Sequence, residues 1–356
     1  MKPDSIKETE SPKSKIIRRI LYWSIIAFFV FWISSRAADF GNVIDLVKGA
    51  NLIWLIIALI LQTVYMILNG KLYHMALRIV GYRLKFISTV ESYFSSLFFA
   101  VATPIGGVGA VAYLSRLYSK DKVNSFGGAV AAVLMTTTVF YTGFMLIFLP
   151  ALIYLDNVDS YVFFLASIAG GIFLAVIIGL YLVFFITVRK PLTIKKLFFK
   201  LRDFYQRVGR VKEGSLFSLS DDILEKNLQD FILATLAIRH VKRKRDILKL
   251  FLLGIFVNLW QLLILALVFK AFNIEIGFVP LSIVYSIFYV FTVISPTPSG
   301  IGFVEGIVQI VMVALGVPGA ASLVVTLVYR AIVAWYPVLA GFIIFKKMNL
   351  TNQLID

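Results

Sequence analysis

An all-α polytopic membrane protein, built as two inverted repeats with six spanning helices and two re-entrant helical hairpins, is the fold class this sequence predicts. Three observations predict it. Of the 356 residues 60% are hydrophobic, and mean hydropathy is +0.90. A soluble domain of this length cannot hide that much apolar surface, so the bilayer is the expected solvent. Apolar runs of spanning length recur along the chain, with Lys and Arg gathered in particular loops. Finally, two Pro/Gly clusters, "TPIGGVG" at 103–109 and "SPTPSGIGFVEG" at 295–306, interrupt apolar regions in nearly the same words.

Residues 1–18 read as a disordered cytosolic tail, polar and mixed in charge. They lack the short n-region and small-residue cleavage site of a signal peptide, so a retained helix should follow. A helix needs roughly 20 apolar residues to cross. Runs of that kind lie at 19–38, 51–70, 125–154, 161–188, 247–271 and 320–345. Two further regions, 87–118 and 279–316, are broken near their middles and read as hairpins. Residues 19–188 therefore hold the first membrane repeat and, in span 161–188, the opening of the second. Residues 189–246 form basic cytosolic or interfacial helices, 247–348 complete the second repeat, and 349–356 are a cytosolic tail. Within the basic stretch, Leu197, Phe198, Leu201, Phe204 and Tyr205 recur at helical spacing among Lys and Arg, as in a surface-lying amphipathic helix. Ser220 is a fair N-cap for the helix after it.

Orientation follows from Lys and Arg. Residues 1–19 carry six of them and 189–249 carry 16, so both face the cytoplasm. Lys71, Arg78, Arg83 and Lys85, then Arg116, Lys120 and Lys122, return the chain to that face, as do Lys346 and Lys347. The loops at 156–160 and 272–278 have no basic residue and read as external. Both termini are then cytoplasmic, in a prokaryotic-type cell membrane. The unit of two spans, a hairpin and one span starts inside the first time and outside the second.

Composition also excludes chemistry. With no cysteine, there is no disulfide, thiolate site or cysteine nucleophile. The two histidines, His74 and His240, make a His-based metal centre implausible. A formal charge of +16 points to basic loops on an anionic leaflet rather than to nucleic acid. There is no Walker A loop, HEXXH or acidic pair at membrane depth, so no catalytic constellation, metal or cofactor is expected.

The two clusters align. Thr103 and Pro104 match Thr297 and Pro298 at an offset of 194; Gly107 and Gly109 match Gly300 and Gly302 at 193. A non-helical turn at membrane depth exposes backbone polar groups, tolerable only against protein or a water-filled cavity. Proline removes an N–H and glycine permits positive φ. Half-helices starting near Gly107 and Gly300 would aim partial positive charge into a shared site, and a phosphate headgroup suits it. The plainer alternative is a pair of kinks in ordinary packed helices.

A charge at membrane depth costs at least about 2.5–3.5 kcal/mol, so each needs a reason. Glu305 and Arg330 are expected to pair, either as a structural bridge or with Arg330 reaching a lipid phosphate. Glu91 and Arg116 lie near the cytoplasmic face, where snorkelling accounts for them equally. Asn258, Gln261 and Gln309 either line the same cavity or bond neighbouring helices. Trp260, Trp335 and Tyr336 read as interface anchors. A leucine at Gly170, inside a span, should be tolerated better than one at Gly302, unless that glycine packs on a neighbour.

The run "SPTPSGIGFVEGIVQIVMVALGVP" at 295–318, followed by a span bearing Arg330, resembles the signature of the flippase-like integral membrane family related to the transmembrane region of lysylphosphatidylglycerol synthase. The matching positions are Pro298, Gly300, Gly302, Glu305, Gly316, Val317 and Arg330. The first cluster departs from the pattern, with Ala112 where an acidic residue is expected. The resemblance implies movement of aminoacylated phospholipids or polyprenyl-linked sugars. The leading expectation is thus a lipid transporter whose partners are membrane lipids with anionic or zwitterionic headgroups, with homo-oligomerisation left open. Proton-coupled transport of a small anion, and an enzyme or accessory subunit for lipid-phosphate chemistry, are the alternatives.

Overall fold

The computed structural model describes residues 48–102, 110, 113–114, 126–155, 160–207, 221–238, 244–295, 300 and 302–353. Among them every regular element is helical. In chain order these are α1 (Leu52–Ile79), α2 (Phe86–Ala102), α3 (Phe126–Leu155), α4 (Ser160–Arg189), α5 (Pro191–Arg207), α6 (Asp221–Ala237), α7 (Lys244–Ala271), α8 (Phe278–Ile294), α9 (Phe303–Ala314), α10 (Gly319–Arg330), a π-helical turn (Ala331–Trp335) and α11 (Tyr336–Gln353).

Among the described residues five stretches are long and apolar enough to cross a bilayer: Leu52–Ile79, Gly127–Tyr154, Ala166–Arg189, Lys244–Ala271 and Gly319–Met348. They coincide with five of the six expected spans. The sixth, 19–38, and the first glycine cluster lie outside the described residues. The helix expected at 51–70 runs on to Ile79, because no proline interrupts it and Leu72, Tyr73, Ala76 and Leu77 continue its buried face. Asn51 caps its start, accepting from the Ile53 amide at 3.1 Å. The opposite face exposes Ile53, Ile56, Ile60 and Ile67. On α4 the exposed set is Phe164, Ile168, Ile172, Leu182 and Phe185. Contiguous apolar surface of this extent belongs against lipid tails rather than water. The protein is an integral membrane protein.

Helix α8 is central. Leu281 to Phe288 are all buried, and Tyr285 and Tyr289 meet Phe144 of α3 and Phe173 of α4. Around it α1 and α7 lie antiparallel: the Asn51 amide, at the start of α1, donates to the Ala271 carbonyl, at the end of α7, at 2.8 Å. Small residues let the helices close up, as membrane interfaces require. A Cβ on Gly254 would stand 2.6 Å from Val139 Cγ1, and one on Gly143 would stand 3.1 Å from the Gly254 carbonyl.

Two placements go beyond the sequence reading. Helix α6, expected as a cytosolic or interfacial helix, is docked: Leu224, Leu228 and Phe231 are buried with Ala129, Ala132 and Leu72. The spacing i, i+4, i+7 gives α6 one apolar stripe, and Gly127 of α3 receives it so closely that a Cβ there would strike the Asn227 carbonyl and the Phe231 amide. Lys195 of α5 pairs with Glu225 of α6. Gly170 is also no open position, since a Cβ would lie 2.5 Å from the Phe148 ring; Gly171, beside it, has nothing within 4 Å. The Trp260 indole N–H donates to the Leu61 carbonyl at 2.9 Å, tying α7 to α1.

Candidate functional site

Gly300 and Gly302 of the second glycine cluster hold backbone conformations that favour glycine. Gly300 has φ 74° and Gly302 has φ 80°, both in the left-handed region. A Cβ on Gly300 would collide with the Val304 side chain. Gly302 is then the N-cap of α9, with no side chain of its own to satisfy the first amides. Glu305 stands in that first turn, where a carboxylate is favoured by the helix dipole.

The inward face of α9 carries Val304, Glu305, Val308, Gln309, Val311 and Met312. It packs on α10, whose buried run ends in Tyr329 and Arg330. This brings Arg330 Nε to 3.0 Å from Glu305 Oε1, with the side chains 4% and 7% exposed. The other carboxylate oxygen, Glu305 Oε2, is buried and takes no hydrogen bond from any described residue. Gln309 donates to the Gly319 carbonyl at 3.2 Å, tying α9 to the start of α10.

Arg330 ends α10 and immediately precedes the π-helical turn. The span expected at 320–345 is present as one continuous rod, and within it the helix widens into this turn, for which Pro337 is the sequence signal. Proline lacks an N–H and its ring crowds the carbonyl four residues back, here that of Val333. The wider i→i+5 turn accommodates this, and such turns gather at functional sites. Trp335 is half exposed on the outer surface, and Tyr336 shares a 2.6 Å hydrogen bond with Thr63 of α1.

Other polar groups approach from neighbouring helices. Gln261 of α7 donates to the Tyr329 hydroxyl at 3.2 Å, leaving its Oε1 buried without a partner. Gln62 Oε1 and Ser286 Oγ are likewise buried and unbonded. Asn258 is different. It donates to the Phe140 and Gly254 carbonyls at 3.1 and 2.8 Å and accepts from the Tyr285 hydroxyl at 2.9 Å. Those bonds tie α3, α7 and α8 together. Glu91 is half-buried on α2 and in no ion pair among the described residues. Thr103, Pro104, Gly107, Gly109, Arg116, Thr297 and Pro298 lie outside the described residues.

Sequence reasoning missed the tyrosines. Tyr289 of α8 lies beside Tyr285 and beside Tyr141 of α3, the Tyr285 hydroxyl donates to Asn258, and the Tyr329 hydroxyl accepts from Gln261. Tyrosine combines an apolar body with one polar tip, so a cluster of tips among apolar helices makes a polar patch without charge. The signal was the presence of 16 tyrosines, several of them away from the ends of the apolar runs.

The turn gives a direct prediction. Gly302→Leu should impair function strongly at normal expression, since φ 80° strains any L side chain. Gly171→Leu, facing open space, should leave both function and yield near the parent. Equal impairment of the two in a reconstituted assay would deny the turn a special role.

A family model described as the transmembrane region of lysylphosphatidylglycerol synthase matches residues 19–341. A UPF0104 membrane protein of Pyrococcus horikoshii is 22% identical over 336 residues, covering 94% of this chain and 97% of the relative. The match takes in the glycine turn, Glu305 and Arg330 together. The chain belongs to the family of the lysylphosphatidylglycerol synthase transmembrane region.

Proposed function

We propose that this protein moves a lipid with a phosphate-bearing headgroup across the membrane, holding the headgroup at the Glu305–Arg330 pair. The observation that carries the reading is a buried arginine at the end of α10, bridged through Nε to a carboxylate whose second oxygen is unbonded. A bridge built only for stability is expected to satisfy every buried polar atom. Here an acceptor is left over, beside the first amides of α9, which favour an anion. Gln261, bonded to the hydroxyl of Tyr329 beside Arg330, leaves a further buried oxygen without a hydrogen bond among the described residues.

The inverted-repeat architecture belongs to the same proposal. Helices α8 and α9 have 17 and 12 residues, or about 25 and 18 Å at 1.5 Å per residue. Both fall short of the ~30 Å hydrocarbon core, which supports a re-entrant hairpin. The matched cluster at 103–109 supplies its counterpart from the opposite face, with both termini cytoplasmic. Cysteines at Asn157 and Asn273 should therefore react with an impermeant thiol reagent from outside, and those at Ser220 and Thr351 only after permeabilisation. External labelling at Ser220 would overturn the inversion.

Transport is tested by following a fluorescent phospholipid between leaflets of vesicles carrying the purified protein. Parent protein should speed the exchange, and Arg330→Met should abolish the increment. A second reading, proton-coupled movement of a small anion, is favoured by the unbonded Glu305 Oε2 as a proton acceptor. It requires anion uptake that follows an imposed pH gradient, with no lipid exchange.

A further inference from the structure

A second amphiphilic site lies at the opposite end of α1 from Asn51. There the end of α1, the turn into α2, the end of α6 and the start of α7 enclose a groove of about 1600 Å³. Four cations line it: Lys71 and Arg78 from α1, Arg83 from the turn, and Lys249 from α7. The spacing explains the α1 pair, since positions seven apart share a helix face. All four side chains are exposed, and none is in an ion pair among the described residues. Among the described residues Asp246 is the one carboxylate that lines the groove. His74 adds a ring whose Nδ1 shares a 3.3 Å hydrogen bond with Thr89.

The groove is also graded in polarity. Along α7 the lining residues run Lys249, Leu252, Leu253, Phe256, one helical face that starts charged and becomes apolar. Phe86, Leu252 and Phe256 are among the exposed large apolar side chains. Along that face charge gives way to bare apolar side chains, a gradient that matches a molecule with an anionic head and a hydrocarbon tail. A soluble phosphate would use only the first half. A peptide would leave four cations against a single acid. Basic pockets between spanning helices are a general means of holding anionic lipid heads.

We propose that this groove binds an anionic membrane phospholipid, its phosphate among Arg78, Arg83, Lys71 and Lys249 and its chains along Phe86, Leu252 and Phe256. The site shares no residue with the Glu305–Arg330 pair, and the proposal stands whether or not the protein transports lipid.

The test uses the full chain, delipidated in neutral detergent and titrated with phosphatidic acid while bound lipid is counted by native mass spectrometry. The parent should take up phosphatidic acid at least tenfold more tightly than phosphatidylcholine. Arg78→Gln with Arg83→Gln should weaken the tightest site tenfold or more. Lys196→Gln with Lys200→Gln, on the exposed face of α5, should change it less than twofold. The replaced groove side chains are exposed, so melting temperature should stay at the parent's. Lys71→Gln with Lys249→Gln repeats the measurement from the facing helices should the first pair fold poorly. Equal loss in the α5 variant would reduce the effect to diffuse basic charge and overturn the site. So would displacement by glycerol 3-phosphate at matched concentration, which would mark a soluble-anion site. Equal binding of phosphatidylcholine would remove the charge argument altogether. The readout is equilibrium binding and not exchange between leaflets, so its failure is distinct from failure of the transport reading.

Discussion

Arg330→Met should destabilise the detergent-solubilised protein by about 3–5 kcal/mol, the usual consequence of removing one partner from a buried ion pair. Glu305 would be left with both oxygens unpaired at a site 7% exposed. Glu305→Gln should also destabilise, by removing the carboxylate that faces Arg330 Nε at 3.0 Å. Combining the two should be milder than either alone, because no charge is then left unmatched. Thermal unfolding of the four proteins measures this. A double variant as unstable as the sum of the singles would show that the pair is not a coupled unit. Transport separates the two roles of Arg330. If it also holds a phosphate, the double variant should recover its fold and still fail to move lipid, since methionine cannot bind an anion. Full recovery of movement would leave only a structural bridge.

Gly127→Leu should be the most damaging change outside the site. Its Cβ would meet the backbone of α6 at Asn227 and Phe231, and backbone cannot rotate away as a side chain can. Overpacking typically costs 1–3 kcal/mol, and the upper end, about 3 kcal/mol, is expected here. Gly179→Leu, with nothing within 4 Å, is the matched control and should melt with the parent. Proteolysis adds a local readout: α6 held away from α3 should be cut faster in its Asp221–Ala237 segment. Unchanged melting and cleavage would mean that α6 docks less closely than its contacts imply.

Much of this was legible beforehand because the bilayer simplifies the grammar. Five spans followed from length and hydropathy alone, since a segment either matches the hydrocarbon thickness or does not. Glu305 and Arg330 stood out because charge at depth is rare enough that each must have a reason. What stayed hidden depended on partners distant in sequence. The docking of α6 required knowing that Gly127 would receive Phe231. Asn258, a plausible site residue by type, has its amide occupied by carbonyls of α3 and α7 and by the Tyr285 hydroxyl. The tyrosines come together from α3 and α8, with Tyr329 of α10 bonded to Gln261, and no local pattern announces them. The π turn could have been foreseen from Pro337, had the proline been weighed against the carbonyl behind it.

That turn also fixes the rotational phase of the last span. Each residue added to a helix swings everything beyond it around the axis, so a widened turn acts as a one-residue insertion held within an unbroken rod. On one side of it Arg330 faces Glu305; on the other, Tyr336 faces Thr63. Deleting Ala334 would let the backbone close into ordinary α-helix, but the two halves would no longer be in step. Either Arg330 would leave α9 or Tyr336 would leave α1. The span is thus keyed at two points around its circumference, and its length in residues is as constrained as their identity.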